Sequence, residues 1–165
     1  MTPAPIRQAV TPTDVAQARA LFEEYAAWLN VDLCFQGFAQ ELASLPGAYA
    51  SPRGMLLLAG APGAAIGCIA LRPLASAGSD PDATAEVKRL YVRPEARGTG
   101  LGRRLVQAVI NGAREIGYRE LKLDTLDHMA EARALYAKLG FSECPPYYHN
   151  PIAGAVYMGR SLEPR

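Results

Sequence analysis

The residue types best suited to chemistry lie between Glu86 and Gly117, in the stretch EVKRLYVRPEARGTGLGRRLVQAVINGAREIG. At its centre, Arg97-Gly98-Thr99-Gly100-Leu101-Gly102 sets three glycines just before a helical pattern. A glycine turn that opens a helix exposes backbone N–H groups at the positive end of the helix dipole, and phosphate is the anion such a site suits. Arg97, Arg103 and Arg104 flank the same turn. Two phosphate ligands are disfavoured by residue identity. The turn lacks the Lys-Ser/Thr pair of a Walker A loop, which argues against nucleotide triphosphate hydrolysis. It also fails the dinucleotide fingerprint, because the sixth position from Gly98 is Arg103 rather than glycine.

Positioning this turn requires a strand before it and a helix after it. Val87, Leu90, Tyr91 and Val92 are strand formers, and Pro94 ends the run because it brings no amide to a ladder. Leu101, Leu105, Ala108, Val109 and Gly112 recur with helical spacing, and Gly117 after Ile116 is the stop. A further strand follows at Glu120–Leu126, where Leu121, Leu123 and Thr125 alternate with Glu120, Lys122 and Asp124. Strand, helix and strand make a crossover unit, which implies parallel pairing and a right-handed connection. The next helix is predicted over about 129–139 with Ala132, Leu135, Tyr136 and Leu139 inward, Gly140 as its stop, and a strand beginning at Phe141. Asn150–Gly154 reads as a turn and Ala155–Met158 as the final strand.

Upstream, Ile6–Val10 is a candidate first strand. Thr13 is expected to cap a helix over about 14–29 whose stripe is Val15, Ala18, Leu21, Phe22, Tyr25 and Leu29. A second helix is expected over Gln36–Leu45, stopped by Pro46-Gly47. The apolar link Asn30–Phe35 either anchors a loop to the core or lines a cleft. Gly54–Ala59 and Ala65–Leu71, split by Gly60-Ala61-Pro62-Gly63, read as a hairpin. Residues 72–83 form a polar loop whose Asp80 and Asp82 lack the pattern of a calcium loop.

The 165 residues suit one domain spanning 1–165. Half are hydrophobic and a fifth are charged, as in ordinary globular proteins. A formal net charge of +1 gives no electrostatic case for nucleic acid or an anionic membrane. Cys34, Cys68 and Cys144 are odd in number and far apart, with no zinc spacing, so no metal and no disulfide framework are expected. The first twelve residues hold three prolines and no apolar run, and no stretch approaches the ~20 apolar residues of a membrane span. A cytoplasmic protein is the expectation, and a homodimer is left open.

Arg97, Gly100 and Gly102, after a strand ending Leu90-Tyr91-Val92, resemble the pyrophosphate loop of the GNAT family of N-acetyltransferases, Arg/Gln-x-x-Gly-x-Gly/Ala. A second motif agrees in order and separation: Ala134-Leu135-Tyr136-Ala137-Lys138-Leu139-Gly140-Phe141 is similar to the family's A-L-Y-x-x-x-G-F signature. The resemblance spans about Val10 to Leu162. It implies an α/β fold with a mixed, mostly antiparallel twisted sheet, helices on both faces and a β-α-β core that binds coenzyme A. It also implies transfer of an acetyl group from acetyl-CoA to the primary amine of a small molecule, by direct attack in a ternary complex. A non-catalytic coenzyme A-binding module, or transfer of another acyl group, is the alternative.

On this resemblance Arg97, Gly98, Thr99, Gly100, Leu101, Gly102 and Arg103 hold the pyrophosphate. Leu90, Tyr91 and Val92 meet the pantetheine arm, the backbones of Leu90 and Val92 pairing with it. Tyr136 is implied as the acid that protonates the leaving thiolate, a phenol being close enough in pKa to share a proton with a thiol. Glu86 stands where some members carry a catalytic glutamate; the other reading is a strand-end carboxylate paired with a neighbouring lysine or arginine. One departure concerns Met129, preceded by His128, where members often carry an asparagine that contacts pantetheine or a water. The acceptor pocket is expected between the first two helices and the late strands, with the aromatic loop Pro145–Asn150 as a candidate wall. Glu23, Glu24, Asp32 and Glu41 do not identify the amine.

Overall fold

The computed structural model describes residues 2–76 and 78–162. In chain order the elements are β1 (Ile6–Gln8), α1 (Pro12–Leu29), α2 (Phe38–Ser44), β2 (Met55–Ala61), β3 (Ala64–Pro73), β4 (Thr84–Val92), α3 (Leu101–Ile116), β5 (Glu120–Leu126), α4 (Ala130–Lys138), β6 (Ser142–Glu143) and β7 (Ala155–Ser161). The seven strands form a sheet in the order β1-β2-β3-β4-β5-β7-β6, antiparallel except where β4 meets β5. The expected order of elements and the mixed, mostly antiparallel sheet are both present. The strands depart from expectation mainly in length. β3, β4 and β7 are longer than their apolar runs, and the hairpin closes on Pro62-Gly63 because Ala61 pairs with Ala64.

Two apolar layers flank the sheet. On one face Leu101, Leu105, Val106, Val109 and Ile110 of α3 pack against Leu57, Ile69, Leu71, Val87 and Leu121. Fully burying a leucine or valine of this kind contributes about 1.5–3 kcal/mol. On the other face Ala18, Leu21 and Phe22 of α1 pack against Leu56, Leu58, Cys68, Ala70 and Tyr91. The half of that second face over β5 and β7 is covered by loop 144–154, whose Tyr147 buries against Leu74 and against Tyr157 of β7.

The start of α1 corrects one expectation. Its N-cap is Thr11, not Thr13: the Thr11 hydroxyl accepts the Asp14 amide at 3.1 Å, and Asp14 Oδ2 accepts the Thr11 amide at 3.2 Å. Pro12 then sits at the first helical position, where a missing N–H costs nothing. The second helix is also shorter than expected, because a 3₁₀ turn over Cys34–Gln36 and left-handed Gly37 precede it.

Two irregularities of β4 create the working end of the fold. Its parallel pairing with β5 covers only Thr84–Glu120, Ala85–Leu121 and Glu86–Lys122. β5 nevertheless stays paired with β7 along its whole length, and β4 with β3 as far as Val92, so the carboxyl-terminal halves of β4 and β5 diverge. Opposite β3, Cys68 pairs with Tyr91 and Ala70 with Lys88, which leaves Arg89 and Leu90 facing Ile69 alone. This is a β-bulge, and Arg89 takes it up at φ 62°. A left-handed arginine costs roughly 1–2 kcal/mol. It is held there by a bidentate pair with Glu41 of α2 (2.8 and 3.0 Å) and by the rings of Tyr25 and Phe38 at 5.8 and 5.2 Å.

Candidate active site

A cavity of about 600 Å³ fills the gap between the diverging strands. Residues 87–92 of β4 and 124–126 of β5 form its sides, α1 and the following link its roof, and α4 its far wall. Ligands of parallel βαβ units bind outside the carboxyl ends of the strands, and this cavity sits at such an end.

The glycine loop lies at one mouth. After a short turn over Pro94–Ala96, Gly98 and Gly100 adopt φ 77° and 82°, conformations that side-chain-bearing residues avoid, and a Cβ on either would meet nothing within 4 Å. The amides of Gly98 to Arg103 have no acceptor among the described residues; the first helical bond runs from Arg104 to Gly100. These are the orphan donors of a helix N-terminus, gathered beside open space. Gly102 and Arg97 line the cavity. Arg97 is fixed by donating Nε to the Val92 carbonyl at 2.9 Å, with its guanidinium 5.0 Å from the Trp28 ring centre and 5.7 Å from that of Tyr91. Thr99 donates its hydroxyl to Ala96 O at 2.7 Å, which braces the loop. Leu101 points into the core, while Arg103 is exposed on the first turn of α3. Arg104 donates instead to the Ala4 carbonyl at 2.8 Å.

Leu90, Tyr91 and Val92 all line the cavity, and beyond Glu86 the β5-facing edge of β4 has no strand partner. A pantetheine-like arm with amide groups would find backbone donors and acceptors along that edge. The free amides, the open glycine turn and this unpaired strand edge together fit coenzyme A.

Tyr136 lies across the cavity on α4, buried to 7 % exposure, with burial pushing its phenol well above the ordinary value. Its hydroxyl makes no hydrogen bond to any described residue, whereas its ring packs on Phe141 at 5.7 Å. The Gly-Phe that follows thus has a physical reason. Gly140 at φ 94° turns the chain off α4 so that Phe141 can donate its amide to the Tyr136 carbonyl and pack against the ring. Met129 occupies the cavity wall at the start of α4, its sulfur 3.7 Å from the Thr125 hydroxyl, and His128 beside it is exposed.

Glu86 is placed otherwise than a base requires. It is 1 % exposed and does not line the cavity. Arg72 binds its Oε1 through Nε and a terminal nitrogen at 3.0 and 2.9 Å, Tyr147 donates to its Oε2 at 2.6 Å, and Lys88 Nζ stands 3.7 Å from the same oxygen. The second reading of this residue, a strand-end carboxylate paired with neighbouring cations, describes its surroundings.

The carboxylate at the cavity floor is Asp124. Tyr148 donates to its Oδ2, Asn150 donates to the same oxygen at 2.9 Å, and Lys88 Nζ is 3.8 Å from Oδ1. Lys88 is buried between two carboxylates, and burial, only partly opposed by Glu86 and Asp124, lowers its pKa. The aromatic loop therefore does form a wall, through Asn150 at the cavity and Tyr148 behind Asp124, while His149 stays exposed. Leu33 turns inward to the cavity and Phe35 outward. Lys88 and Gln36 carried no signal in the sequence. Asp124 was visible as the polar member of an alternating strand and not as a carboxylate of this cavity. Glu24 and Glu41 pair with Arg93 and Arg89, and Asp32 accepts the Cys34 amide.

Residues 16–141 match the Acetyltransferase (GNAT) family. This chain belongs to that family. An uncharacterized N-acetyltransferase of Schizosaccharomyces pombe is 42 % identical over 148 residues, covering 89 % of this chain and 88 % of the relative. Among solved structures, an acetyltransferase from Streptococcus agalactiae superposes with a TM-score of 0.77 at 21 % identity, covering 98 % of this chain and 99 % of the other. A GNAT phosphinothricin acetyltransferase from Sinorhizobium meliloti, solved with acetyl-CoA, gives 0.69 at 20 % identity over 98 % and 89 %. The chain is thus a GNAT acyltransferase. No helix among the described residues is long and apolar enough to cross a membrane.

Proposed function

We propose that this GNAT protein is a cytoplasmic enzyme of one domain that moves the acetyl group of acetyl-CoA onto the primary amine of a small molecule, by direct attack in a ternary complex. The observation that carries this reading is the single cleft at the diverging ends of β4 and β5, which joins the free amides of Gly98 to Arg103 at one end to a free phenol and a carboxylate at the other. The cofactor's pyrophosphate lies on the glycine loop, with Arg97 and Arg103 supplying positive charge. The unpaired edge of Leu90 to Val92 holds the pantetheine arm and brings the thioester to Tyr136. Tyr136 delivers its proton to the departing sulfur, and the burial that raises its pKa keeps that proton in place at working pH. Glu86 acts as a positioning residue, anchoring Lys88 and Arg72 beneath the site.

A cleft of this size, roofed by α1 and walled by loop 144–154, suits a small acceptor rather than a protein chain. Titrating acetyl-CoA by calorimetry and assaying thiol release across a panel of amines tests the proposal: micromolar binding with release for at least some amines supports it. Met129, which puts a thioether where an amide donor is common, favours the alternative of a coenzyme A-binding module without catalysis. Tight binding with no release for any amine would establish that alternative instead.

A further inference from the structure

One oxygen of the Asp124 carboxylate is fully engaged and the other is not. Oδ2 takes both Tyr148 and Asn150, while Oδ1 makes no hydrogen bond and has only Lys88 Nζ, 3.8 Å away. The carboxylate is therefore clamped by one side and offers its other oxygen at the floor of the cavity. A second acceptor stands nearby. Because the hydroxyl hydrogen of Tyr148 is committed to the bond with Asp124, its oxygen can otherwise only accept, and it does so from Gln36 Nε2 at 3.1 Å and Asn150 Nδ2 at 3.3 Å. That fixes the orientation of the Gln36 amide, with nitrogen towards Tyr148. Its Oε1 is left buried with no partner among the described residues, on a residue that lines the same cavity. An unpaired buried acceptor is costly, so this oxygen is open to a donor that enters the cavity. The charged and titratable groups around Asp124 are Lys88 from β4, Tyr147 and Tyr148 from the loop, Tyr136 from α4, Tyr25 from α1 and Tyr157 opposite it on β7.

We propose that Asp124 Oδ1 and Gln36 Oε1 form the acceptor subsite, which binds the amine as its ammonium cation, and that Asp124 takes the proton that frees it to react. This rests on the acetyltransferase reading above and assigns its acceptor end. A proton passes from the ammonium to Oδ1. The freed nitrogen forms the C–N bond at the acetyl carbonyl as the C–S bond breaks. The sulfur receives the Tyr136 proton, and Tyr136 recovers one from the nitrogen as the amide forms. Asp124 then returns its proton to solvent. The acceptor class follows: small primary amines that are cationic at neutral pH.

The test compares benzylamine, cationic near neutral pH, with aniline, which is neutral there. Asp124→Asn should lower kcat/KM for benzylamine by about 100-fold and for aniline by less than about threefold, with acetyl-CoA affinity unchanged. The benzylamine deficit should shrink about tenfold per pH unit as the pH rises, since the variant then meets amine already deprotonated. A loss equal for the two amines, a deficit independent of pH, or no loss would overturn the proposal. Gln36→Met, which leaves Asp124 clamped, should raise KM for benzylamine about tenfold without changing kcat or acetyl-CoA affinity. An unchanged KM removes Gln36 from the subsite. If the wild type binds acetyl-CoA but releases no thiol with any amine, the acetyltransferase reading fails. Calorimetry of benzylamine against the acetyl-CoA-loaded wild type and Asp124→Asn still decides the subsite, because binding lost only in the variant supports it and equal binding sinks it.

Discussion

Replacing Tyr136 by phenylalanine separates catalysis from folding unusually well. Removing a buried hydroxyl usually destabilises a protein because a hydrogen bond worth about 0.5–1.5 kcal/mol is lost. The Tyr136 hydroxyl makes no such bond with any described residue, and the ring that packs on Phe141 at 5.7 Å stays in the variant. The expected change in folding stability is therefore within about 0.5 kcal/mol, or a shift of no more than about 2 °C in Tm for a chain of this size. Loss of a positioned general acid should lower kcat by about 10²–10⁴, equivalent to roughly 2.7–5.5 kcal/mol of barrier. Acetyl-CoA affinity by calorimetry should stay within about twofold, since the phenol lies across the cavity from the loop that holds the pyrophosphate. The pH dependence has a definite sign. Burial raises this phenol's pKa, so the acid remains protonated through the neutral and mildly alkaline range. The wild type should show no alkaline fall in kcat from Tyr136 below pH ~10, the pKa of an unperturbed phenol. Steady-state thiol release from pH 6 to 10 on both proteins checks this. A kcat within threefold of wild type, a loss matched by weaker acetyl-CoA binding, or an alkaline limb near pH 8 that vanishes in the variant would each refute the assignment.

Three further outcomes follow from the same geometry. Gly100→Ala must hold φ near 82° with a Cβ, which costs about 1–2 kcal/mol; the Cβ itself meets nothing, so the variant should fold, with a lower Tm and acetyl-CoA binding weakened several-fold by calorimetry. Glu41→Leu leaves Arg89 as a buried cation without its carboxylate and should cost about 3–5 kcal/mol, seen as a Tm loss of roughly 6–20 °C; adding Arg89→Met should restore part of it, and failure to restore any would show that the bulge itself needs arginine. Asp14 is held well below the usual carboxylate range by the Arg7 guanidinium at 2.8 Å and by the amides of Val10 and Thr11, so its contribution is complete above an unfolded pKa of about 3.9, declines below that, and is lost only as the pH falls through the depressed folded value. The stability gap between wild type and Asp14→Asn in urea should accordingly be flat from pH 7 to 5 and narrow steadily as the pH falls below ~4, and a gap that stays at its neutral-pH size down to pH 2 would contradict the pairing.

How much of this site could be read from the chain depends on how local each feature is. The glycine loop was legible because its cause is local: left-handed Gly98 and Gly100 followed at once by the amphipathic α3. The Tyr136-to-Phe141 run was legible for the same reason, since Gly140 and Phe141 act on a residue one helical turn away. At the polar end of the cavity the place and the loop 145–150 were legible but the working side chains were not, because they are assembled from distant residues. Asp124 meets a residue 26 positions on, Glu86 one 61 positions on, and Gln36 reaches Tyr148 across 112 positions. Residue type alone could not indicate that Glu86 would be saturated and Asp124 left with a free oxygen.

The bulge in β4 is the deeper reason. A strict alternation along the strand would put Glu86, Lys88, Leu90 and Val92 on one face. In the fold Ala85 and Val87 face α3, and so do Leu90 and Val92, because the extra residue at Arg89 shifts the phase. Glu86 and Lys88 before the bulge therefore share the other face with Arg89 and Tyr91 after it, where Glu41 and Tyr25 receive them. Nothing in an arginine announces a left-handed conformation, so the slip is invisible until Glu41 is found opposite it. The slip has two effects at once. It gathers the charged residues of the strand on the side of the acceptor, and it turns Leu90 and Val92 to the side of the loop helix. Divergence from β5 then frees the strand edge between them. One inserted residue thus divides the cleft into a polar end built around Asp124 and a backbone-lined channel leading back to Gly98 and Gly100. That division is what the proposed joining of a small cation to a thioester requires.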